Sequence, residues 1–260
     1  MRAKVKPMFI RNILPQWMYA PLWGNRDKFG LKVKEQDPCW IEWQSTYLRF
    51  YNANQRKGVG TIINDAGYRV MSRSDLYGKT VLEIGPGDIR HVIFWKSQPA
   101  KYILADIQED MLRKGEAKLA ETGVVAHTVH MCSGEPLPLT DASVDVVVTF
   151  YSMEHIFPLA PYLRELKRVL KPGGILIGAI PAEGGLAWGL GRLVTSRRWF
   201  KKNTTIDPDK IICWEHPNFA DEIIRDLDQV FDRRHLDYWP LPWLPFLDLN
   251  LIIRCVYQNP

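Results

Sequence analysis

A buried strand that breaks into a glycine turn is the feature that most limits the folds open to this chain. It reads Val81-Leu82-Glu83-Ile84-Gly85-Pro86-Gly87-Asp88, with three apolar residues around the acid. Glycine has no Cβ, so the backbone at Gly85 and Gly87 can turn tightly and approach a ligand closely. An ordinary strand-to-helix connection would also explain a Gly-x-Gly turn on its own, so the residues that follow must decide.

Apolar strands alternate with helices after this turn. We predict strands at 79–84, 101–106, 124–131, 144–150 and 175–180, and helices near 89–97, 108–121 and 159–170. This alternation is typical of an α/β fold in which helices cover both faces of a parallel sheet. A helix near 220–229 and two strands at about 231–239 and 249–257 come last, and the strand–strand succession predicts an antiparallel hairpin.

Two segments fall outside the alternation. Residues 1–78 begin with a basic, aromatic arm, in which positions 1–36 hold eight Lys or Arg against two acids, and a helix is predicted to start near Asp37-Pro38. Residues 182–216 are rich in Gly, Trp, Lys and Arg. We therefore predict an N-terminal helical extension at 1–78 and a domain at 79–260 that contains a lid-like insertion at 182–216.

Length and composition predict a folded protein with a sizeable core. The chain has 260 residues, of which 46% are hydrophobic and 24% charged. Its four Cys residues are far apart and form no Cys-x-x-Cys, which argues against a zinc site or a disulfide framework and fits a reducing cytosol. We find no signal-peptide pattern and no run of the roughly 18 apolar residues that a membrane span needs. We expect a cytoplasmic protein; the basic arm adds membrane association as a hypothesis, and a merely solvated arm is the alternative.

Asp106 closes the second predicted strand, 19 positions after Gly87. In nucleotide-binding α/β sheets, an acid at this place accepts hydrogen bonds from ribose hydroxyls. A nicotinamide dehydrogenase and an S-adenosylmethionine enzyme share this geometry. The dinucleotide fingerprint requires a third glycine where Arg90 stands, which argues against the dehydrogenase.

Two downstream stretches carry a family resemblance. Ser133-Gly134-Glu135-Pro136-Leu137-Pro138-Leu139-Thr140-Asp141-Ala142-Ser143-Val144-Asp145-Val146-Val147 resembles the loop and fourth strand of class I S-adenosylmethionine-dependent methyltransferases, in particular the broad type 11-like group. Leu166-Lys167-Arg168-Val169-Leu170-Lys171-Pro172-Gly173-Gly174 resembles the helix and turn before their fifth strand. With the glycine turn and Asp106, these stretches cover about 79–181. The resemblance implies a Rossmann-like, seven-stranded sheet with the last strand antiparallel, and S-adenosyl-L-methionine as the cofactor. The chain departs from the family at Ile89, where a third glycine is frequent, and at Ser133, where an acid is frequent.

Carried over residue by residue, the resemblance implies a set of cofactor-binding residues. They are Glu83, Gly85, Pro86, Gly87, Asp106, Ile107, Ser133, Gly134, Glu135 and Phe150. The two glycines would pass the methionine part of the cofactor, and Glu83 would organise its amino group directly or through water. Asp106 would hold the ribose, Ile107 would pack on the adenine, and the loop at 133–135 would meet the adenine edge. Phe150 and Tyr151 would border the transferred methyl group.

Two histidines are candidates for a general base, which an oxygen acceptor can require. His155 follows the fourth predicted strand, where many family members carry a similar Leu-Glu-His, and His216 opens the helix after the insertion. A structural histidine is the alternative at each position. The candidate acceptor-binding residues are Tyr151, Trp188, Arg192 and Trp214. The stretch 184–193 could be a mobile lid or a lipid-facing loop, and the alternative is that it only packs on the first helices.

These observations lead to an expected function. We expect an S-adenosylmethionine-dependent methyltransferase that acts on a small molecule or on a glycan or glycolipid, at oxygen, by in-line methyl transfer. A nucleic-acid methyltransferase is a weaker alternative, because the chain has no separate RNA-binding module and no Asn-Pro-Pro-Tyr-like motif. A non-catalytic protein that binds the cofactor or a partner is a further alternative. Peripheral membrane contact remains a hypothesis, and the sequence predicts no oligomeric state.

Overall fold

A seven-stranded mixed sheet forms the centre of the protein. The computed structural model describes residues 9–54, 59–132 and 135–260, with side chains described throughout except at positions 48, 51–54 and 59. The strands are Thr80–Ile84 (β1), Lys101–Asp106 (β2), Ala126–His130 (β3), Val144–Phe150 (β4), Leu170–Pro181 (β5), Asp232–Trp239 (β6) and Ile252–Gln258 (β7). They lie in the order β3-β2-β1-β4-β5-β7-β6. Among the described strands, β7 alone runs in the direction opposite to the other six, which confirms the predicted α/β architecture.

Ten α-helices surround this sheet in the described part of the chain. They are Gln16–Trp23 (α1), Arg26–Phe29 (α2), Pro38–Asn54 (α3), Val59–Tyr68 (α4), Glu109–Ala120 (α5), Leu159–Val169 (α6), Leu186–Val194 (α7), Ser196–Asn203 (α8), Pro208–Glu215 (α9) and Ala220–Val230 (α10). Short 3₁₀ helices cover Ile10–Asn12, Arg69–Arg73, Arg90–Phe94 and Leu247–Leu249. None of the described helices is long and apolar enough to cross a membrane.

The helix predicted near 89–97 differs from the prediction. The structure has only a 3₁₀ helix, Arg90–Phe94, at this place. Ile89 before it takes a left-handed φ of 50°, and the bonds Val92 N to Ile89 O and Trp95 N to Val92 O span three residues rather than four. Trp95 then returns to an extended conformation, so the element ends after little more than one turn.

Apolar side chains fill both faces of the sheet. On one face, Leu163 of α6 and Ile223 of α10 are fully buried in a cluster with Leu82 of β1. On the other face, Leu119 of α5 and Met71 after α4 pack in a cluster with the neighbouring β1 residue, Val81, and with strand β4. Because adjacent strand residues point to opposite faces, the apolar runs of β1 and β4 serve both clusters.

The N-terminal extension and the insertion pack against each other beside the sheet. Trp43 of α3 is buried against Phe200 of α8, with ring centroids 5.3 Å apart. Trp23 of α1 donates a hydrogen bond from Nε1 to Gly185 O at 3.2 Å. These contacts make one helical layer from two segments that are distant in sequence, and this layer borders the carboxyl end of β5.

Candidate active site

The glycine turn after β1 lies where the strand order reverses, between β1 and β4. Gly85 and Gly87 have φ values of 64° and 55°, a region that side chains disfavour. A Cβ on Gly85 would lie 2.3 Å from Oγ of Ser152, and this hydroxyl donates to Ile84 O at 3.2 Å. The turn is therefore closely packed against the segment that follows β4. Open α/β sheets bind ligands in the crevice at such a point.

Glu83 is engaged within the protein rather than free in this crevice. Its side chain is 1% exposed, with Oε1 2.8 Å from His91 Nε2 and Oε2 accepting from the Tyr102 hydroxyl at 2.7 Å. Trp95 Nε1 donates to Nδ1 of the same imidazole at 3.0 Å, so the proton of neutral His91 lies on Nε2. The expected direct contact of Glu83 with a ligand amino group does not agree with this arrangement. Glu83 instead joins β1 to β2 and to the 3₁₀ helix.

Asp106 ends β2 at the same edge of the sheet. Its Oδ1 accepts from Gln108 N at 2.8 Å, and burial raises the pKa of its carboxyl. The next side chain, Ile107, is 59% exposed, so an apolar surface is available at the crevice edge. Pro86 is buried in the turn, and Glu135 is exposed. Ser133 and Gly134, which were predicted to meet the adenine, lie outside the described residues.

Phe150 and Tyr151 pack into the core rather than into the crevice. Phe150 is buried, stacks on His91 with ring centroids 5.1 Å apart, and meets Tyr68 edge-on at 4.9 Å. The Tyr151 hydroxyl donates to Asn64 O of α4 at 3.0 Å. The expectation that these two rings border the methyl group, and that Tyr151 contacts the acceptor, is therefore not supported by their orientation.

Buried charged side chains meet just beyond the carboxyl end of β5. Glu183 is fully buried two residues after the strand, and its Oε2 accepts from Arg192 Nη2 at 2.5 Å and from Trp188 Nε1 at 2.9 Å. His216 Nδ1 lies 2.9 Å from the same oxygen, as a close contact rather than a well-aligned hydrogen bond. Arg192 and Trp188, which were predicted to contact the acceptor, thus hold Glu183 in place.

A second imidazole, His155, lies against the first. The two ring centroids are 4.6 Å apart. His155 Nδ1 is 2.5 Å from the backbone oxygen of Glu215 and 3.3 Å from its Oε2, while Oε1 of Glu215 accepts from Trp43 Nε1 at 2.6 Å. Each histidine therefore has its own glutamate. His155 N also donates to Ser152 O at 3.0 Å, which links the histidine pair to the residue packed on Gly85.

The surroundings shift the two histidines in opposite directions. Burial opposes charge on His155, but Glu215 and Glu154 outweigh it and raise the pKa of His155 to about 9. Burial lowers the pKa of His216, and the neighbouring cations His155 and Arg192 lower it further against the opposing effect of Glu183. At neutral pH, His155 is therefore charged and His216 is neutral.

The acids of this cluster are also shifted. Burial would raise the pKa of Glu183, but Arg192 and His216 lower it to about 2. Burial raises the pKa of Glu154 to about 7, and its Oε2 has no hydrogen-bond partner among the described residues. In the described part of the chain, no group of three or more His, Cys, Asp or Glu side chains could hold a metal ion.

Trp214 lies outside the cluster, in the core of the helical layer. It is 2% exposed, its ring centroid is 6.4 Å from that of Trp40, and its Nε1 donates to Phe29 O at 3.3 Å. Its predicted role as an acceptor contact does not agree with this position. Sequence reasoning missed Glu183 and Glu215, although both stand at the ends of the predicted insertion and could have been noticed there.

Comparison with known proteins agrees with this architecture. A family model described as a methyltransferase domain matches residues 82–178. Residues 82–178 are therefore similar to a methyltransferase domain. Such domains imply S-adenosylmethionine as the cofactor, and the positive-φ turn at Gly85, the carboxylate of Asp106 and the exposed side chain of Ile107 fit it. Curated relatives of this chain include the ubiquinone/menaquinone biosynthesis C-methyltransferase UbiE of Escherichia fergusonii, which is 34% identical over 104 residues. The match covers 38% of this chain and 41% of UbiE, so the chain spans about two fifths of the length of that relative.

Solved structures share the fold of this chain at low sequence identity. The PH0226 protein of Pyrococcus horikoshii OT3 matches with a TM-score of 0.59 and 17% identity, over 83% of this chain and 99% of that protein. The [4+2]-cyclase SpnF matches with a TM-score of 0.54 and 13% identity, over 88% of this chain and 98% of SpnF. A SAM-dependent methyltransferase of Aquifex aeolicus matches with a TM-score of 0.50 and 15% identity, over 78% and 100% of the two chains.

Proposed function

We propose that the protein transfers a methyl group from S-adenosylmethionine to a hydroxyl of a small molecule or of a glycan- or lipid-linked acceptor. The observation that carries this proposal is the neutral imidazole of His216, held at Nδ1 by the buried carboxylate of Glu183. It lies beside His155, whose backbone N–H donates a hydrogen bond to Ser152, the residue packed on the glycine turn. A base and a donor site would thus lie on the same edge of the sheet.

The residues at this edge would hold the methyl donor. The backbone of Gly85 and Gly87 would pass its methionine part, Asp106 would accept from its ribose hydroxyls, and Ile107 would cover one face of its adenine. Glu135, with Ser133 and Gly134, is retained as the predicted contact to the adenine edge. When bound, the cofactor supplies a methyl group that is already activated by its positive sulfur. The protein therefore has to position the acceptor oxygen, exclude water and remove a proton.

His216 is the residue that we assign to proton removal. A carboxylate at Nδ1 favours the tautomer with the proton on that nitrogen, so Nε2 keeps its lone pair for a proton from the acceptor hydroxyl. The acceptor oxygen becomes negative as the proton moves to Nε2. His155, positively charged and 4.6 Å away between ring centroids, would stabilise that charge. The two histidines thereby take different roles, base and fixed cation.

Carbon methylation is a second candidate, favoured by the similarity to UbiE, which is a C-methyltransferase. An acidic hydroxyl on an aromatic ring activates ring carbons when it is deprotonated, so the same base would serve this reaction. SpnF, a [4+2]-cyclase, shares the fold, so a protein that does not transfer methyl groups is an alternative. RNA methylation has no further support from the described residues.

Two measurements test the proposal. Isothermal titration calorimetry should show S-adenosylmethionine binding to the full chain, with Asp106→Ala weakening it at least tenfold and the exposed-site control Asp110→Ala leaving it unchanged. Radiolabelled methyl transfer should then be measured with panels of phenols and quinols, glycolipids and RNA. Loss of product with His216→Gln, at unchanged cofactor affinity, is the expected result. Absence of cofactor binding, or methylation of RNA alone, would overturn the proposal.

A further inference from the structure

The exposed large hydrophobic side chains are concentrated on one part of the protein. Of the sixteen that are exposed among the described residues, nine come from three short segments. These nine form what we call the apolar surface: Ile13, Trp17, Met18, Leu190, Leu193, Val194, Trp243, Phe246 and Leu249. Large apolar patches on a soluble domain usually mark an interaction site.

The three segments are held together by a buried carboxylate. Asp248 accepts from Ile10 N through Oδ2 at 3.0 Å and from Leu186 N through Oδ1 at 2.9 Å. The first bond anchors the residues before α1, and the second anchors the start of α7, to the loop between β6 and β7. Helices α1 and α7 also pack directly, because Gly189 lies against the Leu22 side chain. The nine side chains therefore belong to one continuous structural unit.

The exposed charges within the three segments that carry the apolar surface have one sign. Segments 9–24, 184–206 and 240–251 contain a single acid, Asp248, and this residue is buried. On α8, the face opposite the buried Phe200 carries Arg198, Lys201 and Lys202, which are exposed and make no ion pair with a described residue. A surface with exposed Trp and Leu, flanking cations and no exposed carboxylate is suited to the interface of an anionic bilayer.

We propose that this surface binds the headgroup region of a bilayer that contains anionic lipid. A second copy of the chain fits the surface less well, because two such faces would bring the α8 cations of both copies near each other. Trp17 and Trp243, which are 75% and 72% exposed, would enter the interface, and the α8 cations would meet lipid phosphates.

The position of α7 relates this surface to the candidate active site. One side of α7 carries Trp188 and Arg192, which contact Glu183, while Leu190 and Val194 of the same helix are exposed. Because a helix with its side chains is about 10 Å across, the width of α7 is what separates the apolar surface from Glu183. The acceptor class follows from this position and rests on the proposed function. The acceptor is a molecule whose apolar part stays in the bilayer while its hydroxyl reaches His216.

Vesicle co-sedimentation of the full chain tests the inference without any acceptor. We expect binding to phosphatidylcholine vesicles that contain phosphatidylglycerol, little binding to phosphatidylcholine alone, and release by salt. Trp17→Glu, Val194→Glu and Trp243→Glu should each lower binding at least fivefold. Ile62→Glu and Val125→Glu, at exposed apolar positions outside the surface, should not. Lys201→Glu/Lys202→Glu should lower binding, whereas Lys101→Glu/Lys114→Glu, with the same change in net charge, should not.

The outcomes separate this inference from the proposed function. Calorimetric binding of S-adenosylmethionine by each variant shows that the fold is intact. Absence of vesicle binding with intact cofactor binding overturns the surface alone, as does equal loss in the control variants. Self-association that Trp17→Glu abolishes, without vesicle binding, would assign the surface to a second copy and overturn the bilayer. Vesicle binding without methyl transfer to any lipid-soluble phenol or quinol would leave the surface standing and count against the acceptor class.

Discussion

Glu183 and His216 meet 2.9 Å apart at the carboxyl edge of the sheet, at opposite ends of one insertion. The thirty-odd residues between them form helices α7, α8 and α9 rather than strands. The two ends of the insertion therefore lie in contact with each other. The contact combines a fully buried carboxylate with an imidazole that is one quarter exposed, 24%. The carboxylate therefore lies against one side of a ring that is partly open to solvent.

The two histidines should titrate separately. In ¹H–¹⁵N correlation spectra, we expect His216 as the Nδ1–H tautomer with a midpoint below 6.5, and His155 protonated up to a pH of about 9. Assignments come from His216→Gln and His155→Gln. A single shared midpoint, or a neutral His155 at pH 7, would contradict the division of roles.

Arg192→Met should destabilise the fold strongly. It removes the cation from a fully buried carboxylate, and breaking such a pair costs about 3–5 kcal/mol. Glu183→Gln/Arg192→Met should recover part of the loss, because the uncompensated charge is gone. Arg113→Met, in an exposed ion pair, is the matched control and should change the free energy of unfolding by less than about 1 kcal/mol. Equal effects of the two single substitutions in urea denaturation would refute this account.

Compared with the unchanged protein, Glu154→Gln should be more stable at alkaline pH than it is at acidic pH. The pKa of Glu154 rises from 4.5 to about 7 on folding, so the folded state holds its proton more tightly than the unfolded state. The contribution of Glu154 to stability is therefore largest below pH 4.5 and falls as the pH rises from there through 7. The glutamine variant lacks this fall. Unfolding free energies measured at pH 5 and pH 8, with Glu121→Gln as an exposed control, decide whether the difference depends on pH.

Gly85→Ala should weaken cofactor binding as well as stability. The residue has a positive φ, and a new Cβ would lie 2.3 Å from Ser152 Oγ. Gly78 has a φ of 69°, and a Cβ added there would have no atom within 4 Å, so Gly78→Ala adds only backbone strain of about 1 kcal/mol. Calorimetry should show tenfold weaker S-adenosylmethionine binding for Gly85→Ala and unchanged binding for Gly78→Ala. Equal affinities of the two variants would show that the turn does not contribute to cofactor binding.

Glu83→Met should lower the free energy of unfolding by at least about 2 kcal/mol, because two buried donors lose their acceptor at about 1–3 kcal/mol each. These donors are His91 Nε2 and the Tyr102 hydroxyl. Glu83→Gln should cost less, since its amide can accept from one partner and donate to the other. If the two variants unfold at the same urea concentration, the hydrogen bonds are not the source of stability.

The sheet could be predicted because each strand is marked by residues that are neighbours in the sequence. Strands such as 144–150 are mostly apolar, and the last two strands follow each other without an α-helix between them, so their antiparallel pairing could be inferred. The 3₁₀ helix after the turn could not, since the left-handed Ile89 arises from packing rather than from its own preference. Residues that act through distant partners were the harder part. Trp43 meets Glu215 across 172 positions, and Trp214 looked like an acceptor contact only because a sequence does not show which way a ring points.

The bonds of Glu83 have a consequence for how the crevice would fill. Its carboxylate, His91 and Tyr102 satisfy one another within the protein, so the end of β1 loses its conformational freedom when the chain folds. Ordering a backbone residue costs about 1–2 kcal/mol, and a turn that is already ordered spares the ligand that cost. The affinity for a ligand at this site would then depend on the contacts that form, because little free energy would be lost in rearranging the strand that presents them.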